Sequence, residues 1–306
     1  MRNSYWFLTA ALTIFLLVGC RENTGSVIPE NQRWISVAIS PDGSKLVAVA
    51  EYGHIYTSAD GGKIWIDRST PGSAIEGDEE SWKSVSISSD GSRLAAVAGF
   101  GHIYISADGG ETWEDRSISG SAIEGNKWWF SIAMSSDGSK LVAAADYDYL
   151  YTSTDGGATW IGSRVTDSAT AQGVFWNSIA MSPDGSKLAA VAYGGHLYVS
   201  ADGGETWRDR SIPGSTIGGE KQWESVAMSS DGSKLVAVAD SDHLYISTDG
   251  GETWEDRSIR GSAIEGDQHW RSVAISSDGS EIAAASYAGY LYTSTDGGAT
   301  WKNHIR

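Results

Sequence analysis

The chain has 306 residues, a formal net charge of −17, 41% hydrophobic content and a single cysteine. That is enough apolar material for one large domain or two small ones, while the acidic field opposes nucleic acids and anionic lipid surfaces, which need Lys and Arg to displace counterions. One cysteine excludes a disulfide within the chain. The first element is MRNSYWFLTAALTIFLLVGC, with one positive charge at Arg2 and an uncharged apolar stretch from about Tyr5 to Val18. It is too short for a comfortable membrane span and reads as a secretory signal.

The end of that segment, Leu17-Val18-Gly19-Cys20, resembles the lipobox of bacterial lipoproteins. The resemblance implies that residues 1–19 are a lipoprotein signal peptide, that Cys20 is diacylated at the new N-terminus, and that residues 20–33 form a short tether. The expected location is the bacterial cell envelope, extracytoplasmic and anchored to the membrane through the lipid. Arg21 after the cysteine, in place of aspartate, fits sorting to the outer membrane in a diderm cell.

From Trp34 onward one unit is written six times, and internal repeats govern the fold. The phrase SADGGKIW (58–65) returns as SADGGETW (106–113), STDGGATW (153–160), SADGGETW (200–207), STDGGETW (247–254) and STDGGATW (294–301). Its aspartates are spaced by 48 residues once and by 47 four times. A second phrase, WISVAISPDGSKLVAVA at Trp34, keeps the same period, with counterparts beginning at Trp82, Trp129, Trp176, Trp223 and Trp270. The units lie near 34–81, 82–128, 129–175, 176–222, 223–269 and 270–306, leaving no second domain.

Each unit predicts four strands. "SVAIS" alternates small or polar with branched apolar residues, "SPDGSK" is a tight turn, and "KLVAVA" is a nearly continuous apolar run. "HIYTS" follows a variable tip, and "TWEDRS" reads as a more polar outer strand. Leu46, Val47, Ala48 and Val49 cannot all face one side of a sheet, so each sheet is expected to be covered on both faces by its neighbours. The expected fold is all-β: a six-bladed β-propeller with four antiparallel strands per blade, closed as a ring, with no blade built from both chain ends.

The phrase S-x-D-x-G-x-T-W is similar to the Asp-box, the repeat first associated with bacterial neuraminidases and shared by many propellers; Ile64 stands where threonine is usual. The resemblance implies a peripheral turn between third and fourth strands. Asp60, Asp108, Asp155, Asp202, Asp249 and Asp296 are expected to accept backbone N–H bonds. Trp65, Trp113, Trp160, Trp207, Trp254 and Trp301 are expected to lie over the hairpins as lids. A calcium loop is the rival reading, but each box offers one carboxylate where such loops gather several. No metal and no cofactor are expected.

Between units the text changes at the tips EYGH (51–54), GFGH (99–102), DYDY (146–149), YGGH (193–196), DSDH (240–243) and YAGY (287–290), and in the long interblade connections. Variable loops on a constant scaffold are where binding resides. The candidate face is the ring of His54, His102, Tyr149, His196, His243 and Tyr290, decorated by Tyr52, Phe100, Tyr147, Tyr193 and Tyr287, with Asp148 and Asp242 nearby. It suits a protein or a glycan through stacking and hydrogen bonds; the competing reading is that His or Tyr at one position of every unit is architecture. Sialidases of the Asp-box class imply an arginine triad, a tyrosine nucleophile paired with a glutamate, and an aspartate acid/base. Here the units are near-duplicates, no catalytic residue is assigned, and Arg33, Arg164, Arg260 and Arg271 are the arginines able to reach the variable face. A monomeric, non-catalytic binding or scaffolding module is the expectation, with sialidase-like hydrolysis as the alternative. The repeats also resemble those of Asp-box propellers that assist photosystem assembly.

Overall fold

Alternating residues on one side of a tight turn and a continuous apolar run on the other make a hairpin that needs cover on both faces. In the computed structural model, which describes residues 32–69, 73–75, 80–118, 120–145, 149–163, 165, 174–211, 214–258, 261–287 and 289–304, every unit folds this way. Cys20, Tyr147, Asp148, Arg164 and Arg260 lie outside the described residues. In the first unit Trp34–Ile39 pairs antiparallel with Leu46–Gly53, which pairs with Ile55–Ser58, which pairs with the short outer strand Ile66–Asp67. Strands and turns make up the described residues, with no helix among them. A bulge follows each opening tryptophan, at Trp34/Ser36 and at the same place in every later unit; it lets the tryptophan leave the alternation of its strand.

Successive units stack face to face, and one junction stands for the rest. Ala189, Val191, Leu197 and Val199 on the trailing face of the fourth unit pack against Trp223, Val226, Leu235, Ala237, Tyr245 and Trp254 on the leading face of the fifth. Clusters built from the corresponding positions join the first unit to the second, the second to the third, the third to the fourth and the fifth to the sixth. Covered on both sides, Leu94–Ala98 and Leu141–Ala145 are buried throughout. Polar ties fix the stacking: Val85, Ile132, Val226 and Val273 donate their N–H groups to Ser36, Ser84, Ser178 and Ser225 of the preceding unit at 3.2–3.3 Å. Lys45, Lys187 and Lys234 reach carbonyl oxygens of Asp90, Asp231 and Gly279 in the next unit's turn, at 2.9, 2.8 and 3.0 Å.

A sixth junction, closing the last unit onto the first, is expected of a ring. Among the described residues Trp34–Ile39 and Gln268–Ile275 do not lie along one another as every other pair of successive first strands does. The consequence is visible in burial. Ala48, Tyr56 and Trp65 form a small cluster of their own with half-buried Trp34, Val37 and Leu46, and Ile282–Ser286 alternates buried with half-buried residues where inner units are buried throughout.

Candidate functional site

In the first, second, fourth and fifth units the tip runs from the second strand into the third, and its backbone pairs with the start of the next unit's first strand: Glu51 opposite Ser81, Phe100 opposite Trp128, Tyr193 opposite Gln222, Asp240 opposite His269. The tips and the residues preceding each opening tryptophan therefore share one edge of the stack. Trp82 and Trp129 lock this edge from below, donating their indole N–H groups to Gly53 and Gly101 carbonyls at 2.9 and 3.2 Å.

The histidines of the candidate ring are tied along their own blades, and His243 Nε2 also lies 3.2 Å from Asp267 Oδ1, next to Gln268 on this edge. Nδ1 of His54, His102, His196 and His243 lies 2.6–2.7 Å from Oδ2 of Asp67, Asp115, Asp209 and Asp256 on the outer strand. The other oxygen of each aspartate accepts the N–H of the serine two residues on, and that serine's hydroxyl accepts the N–H of the third strand, as in Ser117 to Asp115 and Ile103 to Ser117. The histidine thus ties third strand to fourth. In the third and sixth units tyrosine replaces histidine at Tyr149 and Tyr290, and Gly162 and Asn303 replace the aspartate: the two positions change together because they are neighbours. Asp242 is likewise committed, accepting from Lys221 Nζ at 2.7 Å and from Tyr245 Oη at 2.8 Å; burial pushes its pKa up, but these donors outweigh burial and the net shift is downward.

What this edge does present is aromatic. Phe100 and Trp128 are 57% and 50% exposed and their ring centroids lie 5.1 Å apart. Tyr52, Phe175 and Tyr287 are exposed along the same edge. Tyr52 and Ser241 take φ of +53° and +54° where the fourth unit has Gly194 at +64°; a tyrosine held left-handed costs about 1–2 kcal/mol, strain that clusters at functional positions.

Beside the aromatics lies a buried ionic group. Glu224, 3% exposed, accepts from Arg271 Nη1 at 2.9 Å and from Asn177 Nδ2 at 3.3 Å, and Arg271 also meets Asp240 at 3.1 Å. Burial pushes the Glu224 carboxyl up to about 7, against the pull of Arg271 and with a further push from Asp240. Arg33 and Lys83 meet buried Glu51 at 3.2 and 3.4 Å. Trp128, Phe175, Asn177 and Glu224 were not among the sequence candidates. The signal was present: the residues flanking the opening tryptophan read Arg33/Ile35, Ser81/Lys83, Trp128/Phe130, Phe175/Asn177, Gln222/Glu224 and His269/Arg271, as variable as the tips. No group of three or more His, Cys, Asp or Glu suited to a metal occurs among the described residues.

The Asp-box turns sit at the far end of the third strands. Asp108 accepts the Thr112 N–H at 2.9 Å and its hydroxyl at 2.6 Å, and Ser106 Oγ donates to the same carboxylate while accepting the Gly110 N–H. The BNR/Asp-box repeat family matches at residues 104–115, 198–209, 245–256 and 292–303. The chain carries BNR/Asp-box repeats on a β-propeller fold. Among solved structures this propeller is similar to YCF48 bound to D1 peptide, with TM-score 0.65 and 17% identity over 91% of this chain and 84% of that one. It is similar also to YCF48 from Cyanidioschyzon merolae, with TM-score 0.63 and 15% identity over 90% and 86%. The GH74 xyloglucanase from Xanthomonas campestris aligns with TM-score 0.62 and 16% identity over 86% of this chain and 45% of the enzyme. No curated protein matches the sequence.

Proposed function

We propose that this propeller is a six-bladed, lipid-anchored, non-catalytic module of the bacterial cell envelope that binds a protein partner through the edge carrying Tyr52, Phe100, Trp128, Phe175 and Tyr287. The observation that carries the reading is the Phe100–Trp128 pair: two large aromatic side chains, each at least half exposed and held by a backbone pairing between neighbouring units, the residue types that dominate binding hot spots. The similarity to a YCF48 structure holding a peptide supports a protein ligand; a glycan is the other occupant such rings accept. The alternative, sialidase-like hydrolysis, needs three arginines free to converge on a carboxylate. Arg271 is engaged by Glu224 and Asp240, and Arg33 by Glu51.

Cys20 carries the lipid, and the tether that follows it leads into Trp34 at the tip edge. A tether of this length spans at most ~45 Å, so the aromatic edge meets membrane-proximal partners. The test is capture from solubilised envelope extract by the purified mature chain, beside incubation with a fluorogenic sialoside and a glycan array. The expected result is a protein captured by the wild type and by His102→Ala, lost with Phe100→Ala/Trp128→Ala at unchanged circular dichroism, and no sialoside turnover. Capture indifferent to Phe100 and Trp128, or turnover of the sialoside, overturns the reading.

A further inference from the structure

The five internal junctions define what a trailing face accepts, and the sixth unit departs from them in sequence. At the start of the second strand Lys45, Arg93, Lys140, Lys187 and Lys234 present a cation to the next unit's turn; the sixth unit has Glu281. At the two inward positions of that strand the pairs are Val47/Val49, Ala95/Val97, Val142/Ala144, Ala189/Val191 and Val236/Val238, and then Ala283/Ala285. The result is an open cleft of about 420 Å³ bounded by Ala274, Ile275, Glu281, Ala283, Thr293 and Thr295. Thr293 is half-buried there, whereas Val199, its counterpart in the fourth unit, is buried under the fifth.

We propose that this cleft docks a β-hairpin or edge strand of a partner protein that carries a lysine or arginine at its turn, opposite Glu281. Lysines at internal junctions meet backbone carbonyl oxygens of the next turn. A carboxylate in their place repels such a turn and attracts one bearing a cation. The same inversion argues against two other occupants. The first unit's own turn, and that of a second copy of the chain, offers Asp42 and carbonyl oxygens, so either would set acid against acid. Alanines at 283 and 285 leave room for the occupant's larger side chains, and the net charge of −17 favours a basic partner at a distance. This site lies on the trailing face of the sixth unit, apart from the aromatic edge, and stands or falls separately from it.

The probe is a fluorescent peptide of Trp34–Ala50, the hairpin that leads each junction, in its natural form and with Asp42→Lys, titrated into the mature chain and read by anisotropy. The lysine form is expected to bind about fivefold tighter than the natural one, the upper end for one exposed ion pair. Glu281→Lys reverses the order, and Ala283→Trp, which fills the cleft, abolishes binding of both. Absence of binding by either peptide, or equal binding whatever residue stands at 281, overturns the proposal. Sedimentation velocity is expected to show a monomer; a dimer that Glu281→Lys dissociates assigns the cleft to a second copy and overturns it as well.

Discussion

Two glycines in equivalent turns separate what a turn requires of its backbone from what a junction requires of its volume. Gly62 and Gly251 are the second glycines of their Asp-boxes, at φ of +85° and +90°, so alanine at either carries the same left-handed penalty of about 1–2 kcal/mol. Their surroundings differ. A Cβ on Gly251 falls 2.7 Å from Cγ1 of Val199 in the preceding unit, whereas one on Gly62 meets only its own Trp65 at 3.9 Å. Val199 is β-branched and packed in the junction core, with no other rotamer to retreat to, so overpacking adds about 1–3 kcal/mol at Gly251 alone. Urea unfolding of Gly62→Ala and Gly251→Ala, compared at equal m-values, is expected to differ by that second amount, Gly251→Ala being the weaker. Equal losses would mean that the first unit's leading face is covered like the rest, and both the open junction and the docking cleft would fail with it.

Acid should loosen the turns in a defined window. Asp42, Asp90, Asp137 and Asp278 are held at about 2, against 3.8 ordinarily, chiefly by the hydroxyl of the serine two residues before and then by the N–H and hydroxyl of the serine two residues after. A carboxyl lowered in the folded state adds stability that is complete above about 3.8 and lost as pH falls through about 2; Asp137→Asn is expected to flatten the decline between those limits in thermal unfolding, and an unchanged slope refutes the assignment. Glu224 has the opposite sign: raised from 4.5 to about 7, it favours the fold while protonated and loses that contribution as pH rises from about 4.5 through 7. The stability of Glu224→Gln relative to wild type should therefore be greater at pH 8 than at pH 5, and a pH-independent difference would show that Arg271 fully compensates the burial.

The all-β architecture was legible because periodicity within a unit and period between units answer the same constraint. A run such as Leu94–Ala98 with no polar face admits only a sheet sandwiched on both sides, and a fixed spacing supplies the neighbours. The candidate face was legible only in part. Variation among tips pointed to the edge that carries the exposed aromatics, but the histidines read as presented to a ligand bond Asp67, Asp115, Asp209 and Asp256 thirteen residues away. That pairing is written in the chain, since Tyr149 and Tyr290 coincide with loss of the aspartate at Gly162 and Asn303; it is recognised only when two positions are compared across units together. Of the exposed aromatics, Tyr52, Phe100 and Tyr287 stand in the tips, whereas Trp128 and Phe175 escaped notice: they neighbour the buried Trp129 and Trp176, and a strand pattern does not say which of two adjacent aromatics is outward until the bulge after the second is placed.

A repeat protein also supplies its own control, which turns the open junction from an absence into a measurement. The leading face of the sixth unit keeps Trp270, Val273, Ala284, Tyr292 and Trp301 packed on the fifth unit as their counterparts pack elsewhere, with Ile282 in place of leucine and Ser286 in place of alanine. The changes of charge and bulk fall on the trailing side, at Glu281, Ala283 and Ala285, a side that no other unit covers among the described residues. A face under no packing constraint drifts toward any polar residue, but a cation-to-carboxylate exchange at the one position that addresses the next turn inverts the sign of a specific contact. Measuring the hairpin preference at residue 281 distinguishes the two histories: a solvated face binds neither peptide, whereas a face shaped for an occupant retains the geometry of the five junctions with the opposite charge.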